Sequence, residues 1–446
     1  MIAHNEIASA ELETQIKDSN PVPPVEENAV TVDLKLPEKK ALLEFKTKLQ
    51  EAILNKNLFQ PPRAEISTDK GSEEKTLVLN FEDTSFPVES NAEDNLQDIS
   101  LWGVPLLPSK NHEGTDIILL KFLRAREFKV SDAFEMLRRT LKWRKEFKTD
   151  GILEEDLGSH LKHVAYMNST DKKGHPLCFN VYGVFKDKEM YDNAFGTDEK
   201  RDEFLRWRVQ LMEKGIQDLN FKPGEVASMV QITDLKNSPG PAMKELRVTM
   251  KKALSLLQEN YPEFVDRNIF INVPFRCYAY HALFSRFLTQ RAKSKCIFAR
   301  PSRVQETLLK YVAAENVPTK YGGLKRENDE EFSAENGDVL EKAIRSGGTE
   351  TIEFLIIEPG VTVVWDMIVV GWEVTYKEEF IPDDDCSYKI LIQKEKRMEK
   401  SVRNSFYINE PGKVVLTLEN RSFKKKKAFY RSKFKPTPIP LYNFFK

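Results

Sequence analysis

The sequence predicts an α/β domain with a helical lobe before it, an all-β sandwich after it, and a mostly disordered acidic leader. In the middle of the chain, strand-like runs alternate with helical ones, which is typical of an α/β sheet. Towards the C-terminus, short strand-like runs are separated only by turn residues, as in a sandwich. A chain of 446 residues is too long for one typical core. We expect a leader with one amphipathic helix (1–94), a helical lobe (95–148), the α/β domain (149–325), a linker (326–338), the sandwich (339–436) and a tail (437–446).

The leader and the C-terminus carry opposite charge, although the net charge of the chain is −1. Residues 1–98 hold 20 acidic and 10 basic side chains, whereas residues 389–446 hold 16 basic and 4 acidic ones. So polar a leader cannot bury enough apolar surface to offset chain entropy, and we expect it to be disordered. Its exception is residues 38–59, where apolar residues recur at helical spacing. This helix either packs on the protein's own surface or binds a partner or a membrane.

Periodicity predicts the elements of the next two segments. Two short helices are expected between Asp116 and Lys148, joined at 127–130, with Ser131 as an N-cap. A hairpin is expected around the turn 171–174, followed by strands at 227–233, 269–273 and 296–299 and by helices at 202–219, 241–259 and 275–288. This alternation predicts a parallel or mixed sheet covered by helices.

A polar stretch at 325–338 separates this region from the predicted sandwich. The expected strands of the sandwich are 351–357, 361–370, 388–393, 406–408 and 414–418. Turn residues such as Pro359-Gly360 and Pro411-Gly412 divide them, which favours a sandwich of about 100 residues.

Motifs for catalysis are absent from the sequence: it has no phosphate-binding glycine loop, zinc-protease motif or serine-hydrolase motif. His160 and His163 lack partners at metal-ligand spacing, and Asp383, Asp384 and Asp385 read as a surface turn. The 4 cysteines form no CxxC pair, so free thiols in a reducing cytosol are expected. Without a secretory or membrane-spanning signal, we expect a cytoplasmic, non-enzymatic protein with no metal and no cofactor besides a bound ligand.

Five strings stand in order along the chain: FLRAREFKV from Phe122, LKWRKEF from Leu141, NYPE from Asn260, INVPF from Ile271 and ENVPTKYGG from Glu315. Together they resemble the CRAL-TRIO lipid-binding family, which includes the yeast phosphatidylinositol/phosphatidylcholine transfer proteins. The strings VVGWEVTYKEEFIPDDDCSYKILIQK from Val369 and VRNSFYINEPGKVVLTLEN from Val402 resemble a GOLD sandwich. CRAL-TRIO followed by GOLD with a KKKK run is similar to the arrangement of the plant patellins.

The resemblance implies a phosphoinositide or another hydrophobic lipid held over the sheet, beneath a helical gate that begins near Phe275. The residues implied for the gate and the pocket are Phe275, Ala279, Leu283, Phe284, Phe287, Ile232 and Ile271. A deep, dry pocket suits such a ligand, because sequestering an acyl chain from water is worth about 0.8 kcal/mol per methylene. Ordinary core packing is the alternative for each of these residues.

The inositide headgroup site of the family corresponds here to Arg126, Glu263 and Lys295. Cations there meet the phosphate and a carboxylate accepts from inositol hydroxyls. The alternatives are helix capping by Arg126 and a salt bridge between Glu263 and Lys295. Glu127 replaces a cation of the family pattern, and Met229 and Gln231 replace the Ser and Thr that hold choline-lipid phosphate. Which lipid is preferred is therefore left open.

The basic C-terminus predicts a docking surface for anionic membranes, since residues 421–446 contain no acid. The docking residues would be Lys424, Lys425, Lys426, Lys427, Arg431 and Lys433. Nucleic-acid binding, a nuclear-import signal and a solvated edge strand protected by lysines are the alternatives. Because the neighbouring strands resemble a GOLD domain, we expect the basic residues to bind a membrane and no nucleic acid.

We therefore predict a phosphoinositide-binding carrier, peripheral to the cytoplasmic face of membranes, that exchanges lipid between them. The resemblance implies membrane trafficking, including cell-plate formation in cytokinesis, with trafficking proteins bound by the GOLD domain. The alternative is a membrane-recruited, lipid-sensing adaptor that binds partners through its GOLD domain and leader helix.

Overall fold

The computed structural model describes residues 34–59, 98–239, 243–274, 294–332 and 338–436. The helical lobe consists of α1 (Leu36–Leu54), α2 (Glu113–Ala125) and α3 (Val130–Phe147), beside the hairpin of β1 (Ser100–Leu101) and β2 (Val104–Pro105). Glu127 and Phe128 adopt φ values of 51° and 61°, which turn the chain sharply between α2 and α3. Both predicted helices are confirmed, but Lys129 rather than Ser131 occupies the N-cap position of α3.

Helix α1 packs into the core of the helical lobe. Its Phe45 and Leu49 are fully buried in one cluster with Leu120 of α2 and Leu137 of α3. Of the two interpretations of this helix, the structure supports packing on the protein's own surface. The helix lies with the lobe, although sequence analysis assigned its residues to the leader. The remainder of the predicted leader, 1–33 and 60–94, is outside the described residues.

The α/β domain is built on a mixed sheet with the strand order β3-β4-β5-β6-β7. The predicted hairpin is the antiparallel pair of β3 and β4, and β4 to β7 run parallel. The strands are β3 (Ala165–Thr170), β4 (Pro176–Val181), β5 (Met229–Asp234), β6 (Val265–Ile271) and β7 (Cys296–Phe298). The helices are α4 (Lys188–Phe195), α5 (Asp198–Gln217), α6 (Lys244–Asn260) and α7 (Val304–Tyr311). The helix predicted at 275–288 falls outside the described residues.

The two faces of this sheet are covered by different elements. On one face, aliphatic side chains are fully buried in a cluster with Leu308 of α7: Val230, Ile232, Ile269 and Ile271. On the other face, Cys178 and Met229 pack with Val209 and Met212 of α5. This alternation along each strand follows from the period of two of a β-strand.

The C-terminal domain is a sandwich of two antiparallel four-stranded sheets, with orders β13-β10-β15-β8 and β12-β11-β14-β9. Its strands are β8 (Leu340–Ile344), β9 (Thr349–Ile356), β10 (Val361–Val369), β11 (Thr375–Pro382), β12 (Ile390–Arg397), β13 (Val402–Ile408), β14 (Gly412–Glu419) and β15 (Lys426–Pro436). The predicted sandwich is confirmed. Sequence analysis did not assign β8, β11 or β15, and β15 holds much of the basic run.

The sandwich packs directly against the α7 side of the α/β domain. Ile368 of β10 is fully buried in the same cluster as Leu308 and Tyr321. Gln305 of α7 bridges the domains, because its Nε2 donates to the carbonyl of Val369 at 3.2 Å and its Oε1 accepts from the amide of Gly371 at 2.8 Å. The two domains therefore share one apolar cluster.

A buried ion network fixes the start of the predicted linker to the sandwich. Asp366 of β10 is fully buried between its register neighbours Arg403 and Arg431. Its carboxylate accepts from Arg403 at 2.6 Å, Arg326 at 3.0 Å and Arg431 at 3.2 Å. Asp329 in turn accepts from both Nη atoms of Arg403 at 2.7 Å. Residues 326–329 are thus held on the sandwich surface by mostly buried charged side chains.

This network predicts an acid-sensitive contribution to stability from Asp329. Although burial acts to raise it, hydrogen bonds from Arg403 and the backbone of Phe332 hold the pKa of Asp329 at about 2, below its ordinary 3.8. Because the pKa is depressed in the folded state, this stabilisation is complete above about pH 4 and is lost as the pH falls towards about 2. We expect Asp329→Asn to lower the free energy of unfolding by about 2 kcal/mol near neutral pH, with the deficit vanishing over that range.

Urea denaturation of both proteins between about pH 2 and pH 7 measures this deficit. Asp198→Asn is the matched control, because Asp198 pairs with Arg201 on the surface, where its side chain is 89% exposed. A deficit for Asp329→Asn that is the same at every pH would contradict the prediction.

Candidate functional site

Glu263 and Lys295 form the centre of the candidate site. The ammonium of Lys295 donates to Glu263 Oε2 at 2.7 Å and to the carbonyl of Val265 at 2.9 Å. Their side chains are only 16% and 13% exposed, with Lys295 the more exposed. Glu263 lies just before β6 with φ of 56°, a left-handed conformation that costs energy for a residue other than glycine. Two of the three predicted headgroup residues are therefore brought together, in the salt bridge that was the alternative interpretation of this pair.

Lys121 is a residue of this site that sequence reasoning missed. It lies on α2, is 4% exposed, and donates to the carbonyl of Ala227 at 2.7 Å and to that of Glu263 at 2.8 Å. Its ammonium also lies over the ring of Phe264, 4.3 Å from the centroid. A single lysine within the apolar run of α2 was the available signal. Lys121 ties the helical lobe to the backbone that carries the Glu263 carboxylate.

Arg126, the third predicted headgroup residue, is half-buried at the C-terminal end of α2. It lies five positions after Lys121, which itself contacts the Glu263 backbone. Among the described residues, no hydrogen bond or ion pair joins Arg126 to Glu263 or Lys295. Glu127 beside it is exposed.

Among the described residues, one face of the sheet is only partly covered, and it is the face opposite to Ile232 and Ile271. Ile232 and Ile271 are fully buried against α7, so these two predicted pocket residues are core residues of the closed face. The opposite face carries two rows in register across β4 to β7: Cys178, Gln231, Asn268 and Cys296, then Asn180, Thr233, Phe270 and Phe298. Gln231, Asn268 and Phe270 are only half-buried. A ligand would contact these rows.

The carboxyl ends of β5 and β6 are fixed by Asp234. One of its oxygens accepts from the side chain of Asn272 at 2.7 Å and the backbone of Lys236 at 2.8 Å, and the other accepts from the Tyr321 hydroxyl at 2.9 Å. Burial, together with the Asp234 charge, raises the pKa of Tyr321, which therefore stays a donor. This cluster holds the chain three residues before the predicted gate. The gate residues Phe275, Ala279, Leu283, Phe284 and Phe287 lie outside the described residues.

The predicted docking residues are placed in different environments. Arg431 is buried and paired with Asp329 and Asp366, so it is a structural residue and its assignment to docking is corrected. Three lysines of β15 have partners: Lys426 contacts Glu373, Lys427 contacts Glu341, and Lys433 donates to the carbonyl of Glu331.

Lys424 and Lys425 are exposed in the loop between β14 and β15. Phe423 beside them is 100% exposed. This loop combines two cations with an aromatic side chain that the protein leaves in water.

The described part of the chain contains no group of three or more His, Cys, Asp or Glu side chains that could hold a metal ion. Within those same ranges, no helix is both long and apolar enough to cross a bilayer.

Comparison with known families matches three segments of the chain. Residues 41–139 match the CRAL/TRIO N-terminal domain, residues 161–323 match the CRAL/TRIO domain, and residues 345–426 match the Patellin-1-like C-terminal GOLD domain. The first of these segments begins within α1, in agreement with the packing of that helix in the lobe.

Individual proteins are similar to most of the chain. Patellin-4 of Arabidopsis thaliana is 54% identical over 78% of this chain and 64% of its own length. Patellin-3 of the same plant is 43% identical over 87% of this chain and 80% of its own length. A protein of Kluyveromyces lactis named phosphatidylinositol transfer protein SFH5 is 30% identical over 47% of this chain and 68% of its own length. The chain thus spans less than two thirds of Patellin-4.

The contacts of Lys121 predict a structural role that supports the site. We expect Lys121→Met to lower the free energy of unfolding by about 1–3 kcal/mol, because the carbonyls of Ala227 and Glu263 lose a charged donor in a buried place. Chemical denaturation measures the change. Lys129→Met is the control, since Lys129 is exposed on the following turn and should change stability by less than about 0.5 kcal/mol. Equal stability of the two variants would refute this role.

Proposed function

Because the chain belongs to the patellin family, with a CRAL/TRIO domain and a Patellin-1-like GOLD domain, we propose that it is a peripheral membrane carrier that binds phosphoinositide and moves it between membranes. The observation that carries this proposal is the Glu263–Lys295 pair at the start of β6 and β7. The SFH5 protein of Kluyveromyces lactis, whose name records phosphatidylinositol transfer, supports the same ligand class.

The chemistry of the pair suits an inositide headgroup. The Lys295 ammonium can meet a phosphate, and the Glu263 carboxylate can accept from inositol hydroxyls. The positive φ of Glu263 is strain of the kind that persists where the surrounding structure enforces a functional geometry. Buried beside each other, the two side chains are already desolvated, so a headgroup between them would replace their mutual contact without a further desolvation cost for either side chain.

Binding and release of a lipid, without chemical conversion, is the activity we propose. The ligand's apolar body would lie on the partly open face of the sheet, along Gln231, Asn268 and Phe270. The protein would work in the cytoplasm and at the cytoplasmic face of membranes. Membrane trafficking, including cell-plate formation, is the process that the resemblance to patellins favours.

The β14–β15 loop is the part of the sandwich that we propose touches the membrane. Phe423 can enter the interface while Lys424 and Lys425 meet anionic headgroups. Lys427 and Lys433 would contribute less, because each already has a partner within the protein. The docking surface is therefore narrower than the basic sequence run.

An adaptor function is the second candidate, and one observation favours it. At the other end of the sandwich, large apolar side chains stand in water: Leu355, Ile357 and Tyr388 are 69%, 85% and 91% exposed. A partner protein could cover them. The leader helix does not support partner binding, because the apolar face of α1 packs in the protein's own core.

Lipid transfer tests the proposed carrier. We expect Lys295→Ala to transfer phosphatidylinositol between vesicles roughly tenfold more slowly, because a charged hydrogen bond to the headgroup is lost. Lys310→Ala, at an exposed position of α7, is the control and should transfer at the wild-type rate. Equal rates for both variants would argue against the headgroup site, and no transfer by the wild-type protein would favour the adaptor.

Vesicle binding tests the docking loop. Replacing Lys424 and Lys425 together with Ser should weaken binding to phosphatidylserine vesicles roughly 30-fold, because each lysine near an anionic surface contributes about 1 kcal/mol. The loss should shrink at high salt. Tyr388→Ser is the control, since Tyr388 is equally exposed at the other end of the sandwich. If Tyr388→Ser weakens binding as much as the lysine replacements, a different surface faces the membrane.

A further inference from the structure

Arg208 is a buried cation with which no carboxylate of the described ranges pairs. It lies on α5, is 6% exposed, and donates from Nη1 to the side-chain oxygen of Asn180 at 2.8 Å. Its guanidinium lies 5.7 Å from the centroid of the Trp207 ring, and its Nε is buried without a hydrogen-bond partner. Among the described residues, Arg208 forms no ion pair and its Nη2 donates to none. The neutral side-chain amide of Asn180 compensates only poorly for the hydration that the guanidinium lost on burial.

Other buried or nearly buried arginines of this protein are paired. Arg431 contacts both Asp329 and Asp366, and Arg144 contacts Glu213 at 2.5 Å. Burying an unpaired charge costs much of a domain's stability, so an arginine in that position requires an anion to offset it. Among the residues that the structure describes, Arg431 and Arg144 have such an anion and Arg208 does not.

Arg208 faces the partly open side of the sheet. Its partner Asn180 stands in register with Thr233, and Thr233 with Phe270, in the row that a ligand would contact. Burial raises the pKa of the Cys178 thiol and of the Tyr182 hydroxyl, and the Arg208 charge partly offsets that rise in both. The guanidinium therefore acts on the same end of this face as Asn180.

The Arg208–Asn180 end of this face is separate from the headgroup site of Glu263 and Lys295. Lys295 contacts Val265 at the start of β6, whereas the Asn180 row crosses β6 at Phe270, which is five residues further and roughly 16 Å along the strand. One phosphate cannot meet both cations. At the Arg208 end, Cys178 and Phe270 add apolar surface beside the polar side chains of Asn180 and Thr233, which suits an anionic group joined directly to an apolar body.

We propose that Arg208 and Asn180 form an anion-binding site inside the ligand-binding face, for a lipid that carries a phosphate or carboxylate directly on its apolar body. The anion meets Nη2 of Arg208 and the amide hydrogens of Asn180, whose oxygen is already held by Nη1. This inference rests on the proposed lipid binding, and it adds a second ligand class to the one that Lys295 would recognise.

The sharpest test is a substitution that places a carboxylate beside Arg208 within the protein itself. Asn180→Asp is nearly isosteric and places an anion 2.8 Å from the Arg208 guanidinium. It should therefore abolish selection of anionic ligands while leaving the melting temperature unchanged or raised. Arg208→Gln removes the cation and should have the same effect on selection, so one variant neutralises the guanidinium with an added carboxylate and the other removes it. Arg138→Gln, which breaks the surface pair with Glu135, is the control.

Native mass spectrometry of the full-length protein measures selection after incubation with vesicles that hold matched probes. The pairs are oleate against oleyl alcohol, and dioleoyl phosphatidic acid against dioleoylglycerol. We expect the wild-type protein and Arg138→Gln to retain the anionic member of at least one pair about tenfold more than the neutral one. Selection of oleate alone assigns a carboxylate ligand, and selection of phosphatidic acid alone assigns a phosphate ligand.

Two results overturn the inference. Selection that persists in Asn180→Asp and Arg208→Gln, or equal retention of anionic and neutral probes by the wild-type protein, removes Arg208 from ligand recognition. Phosphatidylinositol transfer by the same wild-type preparation would then show that the proposed carrier function survives. A wild-type protein that retains no probe and transfers no phosphatidylinositol would overturn both proposals together.

Discussion

The requirement that both faces of a parallel sheet be covered governs the rest of this structure. On one face of the α/β sheet, α7 closes the surface, and Ile368 of the sandwich completes the same cluster. On the other face, among the described residues, α5 covers only part, and Gln231 and Phe270 are half-buried. The closed face fixes the domains to each other. We propose that a hydrophobic ligand binds on the partly covered face, so that ligand binding and domain packing would use opposite faces of one sheet.

The contact between domains is unusually polar at its margin. Asp366 and its three arginine partners take charges out of water, which stabilises only when every partner is present and well placed. The apolar cluster around Ile368 supplies the non-directional part of the contact, and the ion network fixes its orientation. Tyr321 belongs to that cluster and donates to Asp234, whose other oxygen holds Asn272 near the predicted gate. The domain contact and the ligand face are therefore joined by a short chain of direct contacts.

Much of the fold follows from the sequence, because apolar periodicity reports which residues are buried in a helix or a strand. It predicted the helical lobe, the mixed sheet and the sandwich. It could not choose the face of the sheet, since Ile232 and Phe270 fit either side until strand register is known. It missed β15, where Lys426 stands next to Lys427 and Phe429 next to Tyr430, so that the polar and apolar residues do not alternate regularly. It missed Lys121 and Arg208 because a charged letter reads as a surface residue, while burial is decided by elements distant in sequence.

The contribution of each charged group to attraction by an anionic surface depends on whether the group is exposed or paired within the protein. The excess of 16 basic over 4 acidic residues near the C-terminus suggests strong attraction to anionic surfaces. However, Arg403 and Arg431 neutralise Asp329 and Asp366 inside the protein, and Lys426 and Lys427 have glutamate partners. These ion pairs cancel part of the charge excess that the sequence count suggests. Lys424 and Lys425 lie exposed beside Phe423, whose aromatic side chain adds apolar contact that salt does not screen. A docking surface confined to this loop would suit the proposed carrier, because a protein that must leave one membrane for another cannot bind either one too tightly.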